Sequence, residues 1–468
     1  MTEREFDVIV IGAGSSGEVC AGRVAGGGLE VAIVEDDLVG GDCTYYACMP
    51  SKALLRPAEL LAEVRRVPGA AEGVTGELDA DAALKRRDEV IANLDDERQL
   101  GWLEDRGIAL FRGRARLDGE RRVRVGGDVL SARRAVVVAT GTEPAMPPVD
   151  GLAEAKPWGN KEATTAKRVP ESLVVLGGGA VGVEMAQAWR TLGSEVSLIE
   201  AEERLLPPEE PFAGEQVADG LRALGVDVRT GARANAVRGE NGKVTVELED
   251  GDALRGARLL VAVGRRPVTE GIGLDSVGVE PGGWLEVDDQ LRVGGPMQSR
   301  DVQAHRAVSA WLYAVGDVNG RSLLTHMGKH QGRIAGDHIL GKDVAATEDR
   351  WAVPRVVFTE PQVAAVGRTR AAAKEAGIRA RAVDVPTAGT AGASFQGRNA
   401  PGTTRIVVDE DRRVLVGATF VGPETADFVH AATIAVVGEV PLERLWHAVP
   451  SFPTRSEVWL KLLEAYGL

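Results

Sequence analysis

Cysteine is scarce in this sequence, where Cys20, Cys43 and Cys48 are the only three among 468 residues. Secreted scaffolds that depend on disulfides usually carry many cysteines in even number, so the count excludes that class of protein. The six histidines add no second ligand pair at regular spacing, and we therefore expect no metal site. A close pair such as Cys43 and Cys48 is instead typical of redox chemistry.

Long apolar runs and an excess of positive charge are also missing. No stretch reaches the roughly 18 apolar residues that a membrane-spanning helix needs, and the amino terminus shows no signal-peptide pattern. The 69 acidic residues outnumber the 55 Lys and Arg residues, which gives a net charge of −14 at pH 7. Nucleic acids and anionic membranes attract clustered basic residues, so neither partner is expected. We predict a cytoplasmic protein that acts on small molecules.

Two segments, residues 6–36 and 172–201, repeat one pattern. Each predicts a buried apolar strand, a glycine-rich turn, a helix, a second strand and a terminal acidic residue. The strand runs are continuous rather than alternating, as in parallel sheets that are covered on both faces. The pattern predicts an α/β fold with two Rossmann-like units. Residues 51–103 are expected to be helical, with a bend or break at Pro57.

The first turn carries the dinucleotide fingerprint Gly12-x-Gly14-x-x-Gly17. The first glycine allows the tight turn, the second lets the backbone approach a pyrophosphate, and the third lets helix and strand pack closely. Glu35 ends the second strand, where a carboxylate can accept from ribose hydroxyls. Glycine turns also serve packing alone, but the agreement of strand, turn, helix and acid favours a nucleotide site.

The second turn carries the same fingerprint in Gly177, Gly179 and Gly182, and Glu200 closes its second strand. A carboxylate at that position accepts from a free 2′-hydroxyl and repels a 2′-phosphate, which favours NADH over NADPH. Arg204 lies nearby in the sequence and leaves the alternative of a phosphate contact open.

A third motif, C-x4-C-x-P-S-K, follows the first unit and contains Cys43, Cys48 and Lys52. If this segment begins a helix, the two sulfurs can meet across a distorted turn, and the helix N-terminus favours the nucleophilic thiolate. Lys52 lies four residues after Cys48, on the same helix face. A redox-active pair is favoured over a buried, inert one. Cys20 is expected in the core.

With these motifs the sequence resembles, over essentially its whole length, the pyridine nucleotide-disulfide oxidoreductase family. That family includes dihydrolipoamide dehydrogenase, glutathione and mycothione reductases, and mercuric reductase. Besides the fingerprints and the cysteine motif, four short blocks carry the resemblance: ATG at 139–141, VGRRP at 263–267, YAVGD at 313–317 and FTEP at 358–361.

The resemblance implies four domain segments and a homodimer. Residues 1–149 and 285–349 would form the FAD-binding part, and residues 150–284 the NAD(P)-binding domain. Residues 350–468 would form an α+β dimerisation domain that completes each active site with residues from the partner.

The resemblance also assigns roles to single residues. Cys48 would lie beside the flavin, Cys43 would attack the substrate disulfide, and Lys52 would approach flavin N5 while paired with Glu184. The residues expected to hold FAD are Gly12, Gly14, Gly17, Glu35, Gly41, Thr140, Gly141, Gly316 and Asp317. Those expected to hold NAD are Gly177, Gly179, Gly182, Glu200, Gly264 and Arg265.

One departure from the family pattern lies near the C-terminus. The disulfide reductases usually carry a histidine immediately before Pro-Thr, which acts as acid and base for the outer thiol of the partner subunit. Here Pro453, Thr454 and the catalytic candidate Glu457 match, but Phe452 holds the histidine position. Loss of such a base slows proton transfer by about 10²–10⁴-fold. Mercuric reductase uses an additional C-terminal cysteine pair, which this chain lacks.

Three further features are open. Tyr45 and the catalytic candidate Tyr46 could narrow the disulfide site or supply a hydroxyl proton, or they could pack against the partner. His326 is expected by FAD or inside the fold rather than as a base. Residues 294–309 form an extra loop whose function the sequence does not indicate.

The leading hypothesis is an FAD- and NAD(P)H-dependent oxidoreductase that acts on an unidentified disulfide or dithiol. The intact cysteine pair favours it. The absent histidine favours an alternative in which the flavin serves a quinone or diaphorase-type reductase, or a dithiol oxidase that uses oxygen. A third hypothesis is a non-catalytic FAD-holding scaffold, against which Lys52, Glu184 and both cysteines argue.

Overall fold

The computed structural model describes residues 3–240, 242–294 and 309–468. Most of the predicted 294–309 loop, from 295 to 308, lies outside the described residues. The strands are β1 Glu3–Ile11, β2 Val31–Glu35, β3 Ala109–Arg112, β4 Ala115–Leu117, β5 Arg122–Val125, β6 Asp128–Val138, β7 Thr142–Pro144, β8 Ser172–Leu176, β9 Glu195–Ile199, β10 Asp227–Arg229, β11 Ala234–Glu240, β12 Lys243–Leu248, β13 Ala253–Gly256, β14 Arg258–Val261, β15 Arg265–Pro267, β16 Leu312–Ala314, β17 Pro354–Val357, β18 Gln362–Gly367, β19 Ala380–Pro386, β20 Thr403–Asp409 and β21 Val414–Gly422.

The helices connect these strands, and the stretch predicted to be helical contains three of them, α3 to α5. Pro57 lies inside α3 without ending it. The helices are α1 Ser15–Gly26, α2 Gly41–Tyr45, α3 Cys48–Arg66, α4 Ala80–Val90, α5 Glu97–Glu104, α6 Asn160–Thr165, α7 Ala180–Thr191, α8 Pro211–Ala223, α9 Thr325–Ile339, α10 Arg370–Glu375, α11 Val429–Val437, α12 Leu442–Leu445 and α13 Val458–Tyr466. Within the described ranges, none of them combines the length and apolar character needed to cross a membrane.

The first of two compact units comprises Met1–Pro50, Asp88–Pro144 and Arg265–Arg350. Its main sheet has the order β3-β2-β1-β6-β5-β4, and β16 also pairs with β6. Strand β1 pairs in parallel with both β2 and β6. Val8 packs with α1 and α9 in one cluster, and Ile9 packs with residues of β4 and β5 in another. Because both faces are covered, the strand is a continuous apolar run, as predicted.

The second unit comprises Ser51–Arg87, Ala145–Gly264 and Trp351–Leu468. It contains a parallel sheet of order β10-β9-β8-β14 and an antiparallel sheet β11-β12-β13. A five-stranded antiparallel sheet, β17-β18-β21-β20-β19, shares a core with α11 and α13. Two Rossmann-like units and a C-terminal α+β region confirm the predicted fold class. The division after residues 149, 284 and 349 stays a proposal.

Candidate active site

The turn between β1 and α1 leaves room for a dinucleotide at its second glycine. Gly12 has φ +101°, and a Cβ there would lie 2.4 Å from the carbonyl oxygen of Ala139. A Cβ at Gly17 would lie 2.0 Å from the Gly12 oxygen, so helix and strand are in close contact. A Cβ at Gly14 would have as its nearest neighbour the Cα of Gly41, at 3.9 Å. The first and third glycines therefore serve packing, and the second leaves backbone N–H groups accessible to a pyrophosphate.

Glu35 is fixed at the end of β2 by backbone donors. Its carboxylate accepts from the N–H of Ala13 at 2.7 Å and from the N–H of Asp37 at 2.9 Å. Burial raises the pKa of Glu35, while these hydrogen bonds oppose the shift. A carboxylate has about four acceptor positions, so capacity remains for ribose hydroxyls.

The turn between β8 and α7 repeats this construction. Gly177 has φ +105°, and its Cβ would lie 2.4 Å from the oxygen of Ala262. A Cβ at Gly182 would lie 1.8 Å from the Gly177 oxygen. Around Gly179 and around Gly264 no atom lies within 4 Å of the added Cβ. The open space fits a second dinucleotide.

Glu200 repeats the construction at Glu35, since it accepts from the N–H of Gly178 at 2.6 Å and of Glu202 at 2.8 Å. Arg204, the residue that could have met a 2′-phosphate, donates instead to nearby backbone carbonyls. These belong to Leu206 at 3.2 Å, Pro207 at 2.5 Å and Glu209 at 3.0 Å. The carboxylate, rather than the guanidinium, is therefore available at the end of β9.

Cys43 lies in α2 and Cys48 begins α3, and both are free thiols in the structure. The Sγ of Cys48 lies 3.3 Å from the Oγ1 of Thr325, at the start of α9. A hydrogen bond with Cys48, followed by burial, raises the pKa of the Cys43 thiol, while Thr325 and Lys329 act in the opposite direction. The predicted lowering of the thiol pKa is therefore wrong for Cys43, because its neighbours outweigh the short helix.

A polar network surrounds Asp317. Arg265 donates to Oδ2 of Asp42 at 3.0 Å and to Oγ1 of Thr142 at 2.6 Å. Thr142 in turn donates to Oδ2 of Asp317 at 3.0 Å, and burial raises the pKa of Asp317. Arg265 therefore lies in the same network as Asp317, one of the residues expected at FAD. Its assignment to NAD stays a prediction. Asp42 and Thr142 were not predicted from the sequence.

The remaining residues expected at FAD lie in constrained turns of the same unit. Thr140 donates through Oγ1 to the carbonyl of Val268 at 2.6 Å. Gly141 has φ +70° and no atom within 4 Å of an added Cβ, which leaves space beside it. Gly316 has φ +78°, and its Cβ would lie 2.5 Å from Oγ of Ser16 in α1. The last contact brings the 313–317 block against the first fingerprint.

Lys52 and Glu184 form the expected ion pair, with 2.7 Å between Nζ and Oε2. The other carboxylate oxygen of Glu184 accepts from the N–H of Phe358 at 3.0 Å. The Lys52 ammonium also lies 4.8 Å from the centroid of the Phe358 ring. Two contacts therefore hold this cation, and a third fixes the carboxylate with which it pairs.

Tyr45 and Tyr46 follow Cys43 but differ in burial. Tyr45 is 1% exposed, and its hydroxyl donates to the carbonyl of Asp95 at 3.2 Å. It packs inside its own chain, so the alternative of packing against a partner is wrong for Tyr45. Tyr46 is half-buried, and its hydroxyl lies 3.4 Å from Oδ1 of Asp37. A role of Tyr46 in proton transfer stays a prediction.

The segment that replaces the histidine presents an apolar side chain. Phe452 is 77% exposed in the single chain and Val449 is 83% exposed. Glu457 accepts from the N–H of Thr454 at 3.2 Å and of Gly392 at 3.1 Å. Its carboxylate therefore holds the loop, and its catalytic role stays a prediction. His326, expected by FAD or inside the fold, is exposed on α9.

The geometry defines a class of protein: an oxidoreductase with two dinucleotide sites and a dithiol. Protein-family comparisons agree. The model described as pyridine nucleotide-disulphide oxidoreductase matches residues 6–332, and the model of that family's dimerisation domain matches residues 353–463. The chain belongs to the pyridine nucleotide-disulphide oxidoreductase family. It accordingly uses FAD and NAD(P)H, acts on a sulfur group, and has the domain through which its family forms dimers.

Several known proteins are similar over almost the whole chain. A dihydrolipoyl dehydrogenase from Chlamydia muridarum is 31% identical over 462 residues, which cover 97% of this chain and 95% of that protein. A mercuric reductase from Staphylococcus aureus is 29% identical and covers 97% of this chain and 81% of that protein. The structure of the HOCl-induced flavoprotein disulfide reductase RclA from Escherichia coli has a TM-score of 0.83 at 26% identity, covering 98% of this chain and 99% of that one. These relatives differ in substrate, so similarity leaves the substrate open.

Proposed function

We propose that the chain transfers electrons from NADH through Cys43 and Cys48 to a small-molecule disulfide. The observation that carries this proposal is the cysteine arrangement: Cys43 is hydrogen-bonded to Cys48, whose sulfur also contacts Thr325. Both thiols belong to the unit that contains the first fingerprint. Two close thiols of this kind can be oxidised to a disulfide and reduced again without a large backbone movement.

The two sulfurs take different roles in this mechanism. Bound FAD would supply the two-electron chemistry that links the nicotinamide to the cysteine pair. Cys43, as thiolate, attacks one sulfur of the substrate and releases the other half as a thiol. Cys48 then attacks the Cys43 sulfur, releases the second thiol and closes the Cys43–Cys48 disulfide. One substrate disulfide gains two electrons and two protons, and the cysteine pair loses them.

The charged residues hold the parts in place. Glu35 and Asp317 would hold FAD through its hydroxyl groups, and Arg265 with Thr142 keeps the Asp317 carboxylate in position. By the family resemblance, Lys52, which is paired with Glu184, would supply a positive charge to the flavin. Tyr46 and Glu457 are assigned to the disulfide site, Tyr46 as a hydroxyl donor and Glu457 as the residue that orients the 449–454 loop of the partner subunit.

NADH is the proposed electron donor rather than NADPH. The carboxylate of Glu200 can accept from a free 2′-hydroxyl, whereas a 2′-phosphate at the same place would meet like charge. Arg204, the nearby cation, is engaged with three backbone carbonyls. Because these hydrogen bonds hold Arg204 in the turn after β9, they support the preference for NADH.

A second candidate function is reduction of a quinone. Phe452 stands where a base would act, and its exposed ring offers an apolar contact instead of a proton donor. A quinone can take two electrons from a reduced flavin without releasing a thiolate. A dithiol oxidase that passes electrons to oxygen would use the same flavin, and it too would work without the base that Phe452 replaces.

Steady-state oxidation of NADH by the FAD-loaded homodimer separates the candidates. We would compare oxidised lipoamide, oxidised glutathione and a naphthoquinone with wild-type protein, Cys43→Ser and the control Cys20→Ala. Because only the disulfide route needs Cys43, Cys43→Ser should lose disulfide turnover by at least ~100-fold and keep quinone turnover. Equal disulfide turnover in wild-type protein and Cys43→Ser would contradict the leading proposal.

A further inference from the structure

The proposed disulfide exchange leaves one requirement unmet, which is a group that takes and returns the proton of Cys43. Phe452 replaces the usual base, and the pKa of Cys43 is raised by its hydrogen bond with Cys48 and by burial. At neutral pH, attack and product release both need a proton to move at this sulfur. The following inference rests on the proposed function and concerns where that proton goes.

Helices α1 and α9 approach closely beside the cysteine pair. A Cβ at Gly332 in α9 would lie 2.6 Å from the carbonyl oxygen of Ser16 in α1, and a Cβ at Gly328 would lie 2.2 Å from Oγ of Ser16. This close approach brings side chains next to Ser16 in α1 near side chains next to Gly328 and Gly332 in α9. Glu18 in α1 and Lys329 in α9 are such side chains.

Lys329 connects this crossing to the thiols. Thr325, whose hydroxyl lies 3.3 Å from the Sγ of Cys48, is the first residue of α9. Lys329 follows four residues later, so it lies on the same helix face one turn along. Its charge acts favourably on the anionic form of both Cys43 and Glu18. Lys329 is exposed, which gives this group access to water.

Glu18 is a half-buried carboxyl group whose environment suits proton exchange. Burial raises the pKa of Glu18 to about 7, with Lys329 lowering it and Glu35 of β2 raising it. Burial raises the pKa of Tyr45 in α2, and the charges of Asp96 and Glu18 add to that rise. In the described part of the chain, neither Glu18 nor Lys329 has a side-chain hydrogen bond or ion pair that would commit it to a structural role.

We propose that Glu18 and Lys329 serve, within the same chain, as the acid–base pair for Cys43 that the family usually draws from the partner. Lys329 stabilises the Cys43 thiolate by its charge. The Cys43 thiol loses its proton to water as this thiolate forms, and the glutamic acid form of Glu18 returns one proton, through Lys329 or water, to the thiolate that leaves the substrate disulfide. Glu18 becomes a carboxylate, and it is reprotonated from water. Both are positioning residues for this proton, since neither contacts the reacting sulfur directly.

The pH dependence of the exchange follows from the protonation state of Glu18. Below pH about 7 the carboxyl group carries the proton that it donates, and above that pH the proton is lost. We therefore expect kcat/KM for disulfide reduction to fall as pH rises through about 7. Glu18→Gln cannot donate, so this falling limb should disappear and the rate below it should drop by about tenfold.

The test uses the FAD-loaded homodimer after anaerobic reduction with NADH. Iodoacetamide is the probe, and mass spectrometry measures its rate of reaction with Cys43 as a function of pH. Lys329→Met should slow the reaction at pH 7.5 by about tenfold, which corresponds to a thiol pKa raised by one unit, whereas Lys329→Arg should retain it. Lys342→Met, which removes another exposed lysine of this region, and Glu104→Gln serve as controls and should match wild-type protein.

Three outcomes overturn the inference. One is an unchanged alkylation rate and pH midpoint in Lys329→Met together with an unchanged pH profile in Glu18→Gln. Another is a loss of the pH limb in His326→Gln but not in Glu18→Gln, which would make His326 the base. The third is a wild-type protein whose flavin is reduced by NADH without any gain in Cys43 alkylation. This third result contradicts the proposed function as well. It can be distinguished from the first two because it is seen in the wild-type protein.

Discussion

In the proposed function, Glu200 is the side chain that selects NADH over NADPH. Two backbone N–H groups fix its carboxylate at the end of β9, and Arg204, a cation close in sequence, donates to backbone carbonyls instead. Fixed charge of this kind discriminates because a 2′-phosphate must approach it without a compensating partner. The position of Glu200 at the end of its strand was predictable from the sequence, because an apolar run defines that strand. The hydrogen bonds of Arg204 to backbone carbonyls were not predictable, because the sequence does not show where those carbonyl groups point.

Replacing Glu200 with serine should therefore shift the cofactor preference. The hydroxyl of Glu200→Ser keeps a polar contact but removes the negative charge, so the ratio of kcat/KM for NADPH to that for NADH should rise by about tenfold or more. Steady-state kinetics with both cofactors measure the ratio. Glu203→Ser, which removes an exposed acid nearby, should leave it unchanged. A constant ratio in Glu200→Ser would contradict the assignment.

The Lys52–Glu184 pair has a second testable property, which is its contribution to stability. Glu184 is 6% exposed in its side chain, so Glu184→Gln leaves a partly buried ammonium without its charge partner. We expect the free energy of unfolding to fall by about 1–3 kcal/mol. Urea unfolding of the FAD-loaded protein checks this. Glu464→Gln breaks the exposed pair with Lys461 and should change stability by less than about 0.5 kcal/mol.

At the scale of elements, the two β–α–β units show which positions of a fingerprint serve the fold and which serve the ligand. Gly177 and Gly179 lie two positions apart in the same turn. The first would place a Cβ 2.4 Å from a carbonyl oxygen, and the second has no atom within 4 Å of its added Cβ. This difference allows fold and binding to be separated by matched substitutions.

Gly177→Ala and Gly179→Ala should have opposite effects. Gly177→Ala adds a clash to a φ of +105°, and we expect it to destabilise the protein by about 2 kcal/mol or more. Gly179→Ala should leave the melting temperature nearly unchanged but weaken NADH binding by about tenfold, because its methyl group occupies the space for the pyrophosphate. Thermal unfolding and an NADH fluorescence titration measure the two effects. Equal NADH affinity of Gly179→Ala and wild-type protein would rule out this site.

Elements were predictable from the sequence where a local pattern fixes them, and contacts between distant elements were not. Apolar runs and glycine spacing defined β1, α1, β8 and α7. By contrast, Cys48 contacts Thr325 across 277 positions, and Arg265 contacts Asp42 across 223. No periodicity connects such pairs, so the contact of Cys48 with Thr325 and that of Arg265 with Asp42 were not predicted. The raised pKa of Cys43 has the same origin, since burial and a neighbouring thiol outweigh the helix N-terminus.

At the scale of the whole molecule, the dimerisation domain and the exposed 449–454 loop raise the question of what the partner contributes. Phe452 lies at the position of the usual base and is 77% exposed in the single chain. If the partner subunit presents this loop to Cys43, a histidine introduced here should increase disulfide turnover. The increase should occur only at position 452 and only in the dimer.

Phe452→His should increase disulfide turnover above pH 7 by about tenfold, because a neutral imidazole then accepts the thiol proton. Phe395→His is a matched control, since Phe395 is an exposed phenylalanine of the same region, 68% accessible. It should give no increase. Size-exclusion chromatography verifies that both variants remain dimeric. An equal gain in the two variants would show that the effect is not specific to the position.

In the proposed function, electrons from the nicotinamide reach Cys43 and Cys48. The most direct measurement is an anaerobic NADH titration of the oxidised, FAD-loaded protein, in which alkylated cysteines are counted by mass spectrometry. We predict that NADH makes both cysteines newly reactive while Cys20, which is fully buried, stays protected. A flavin that bleaches fully while neither Cys43 nor Cys48 gains reactivity would contradict the claim.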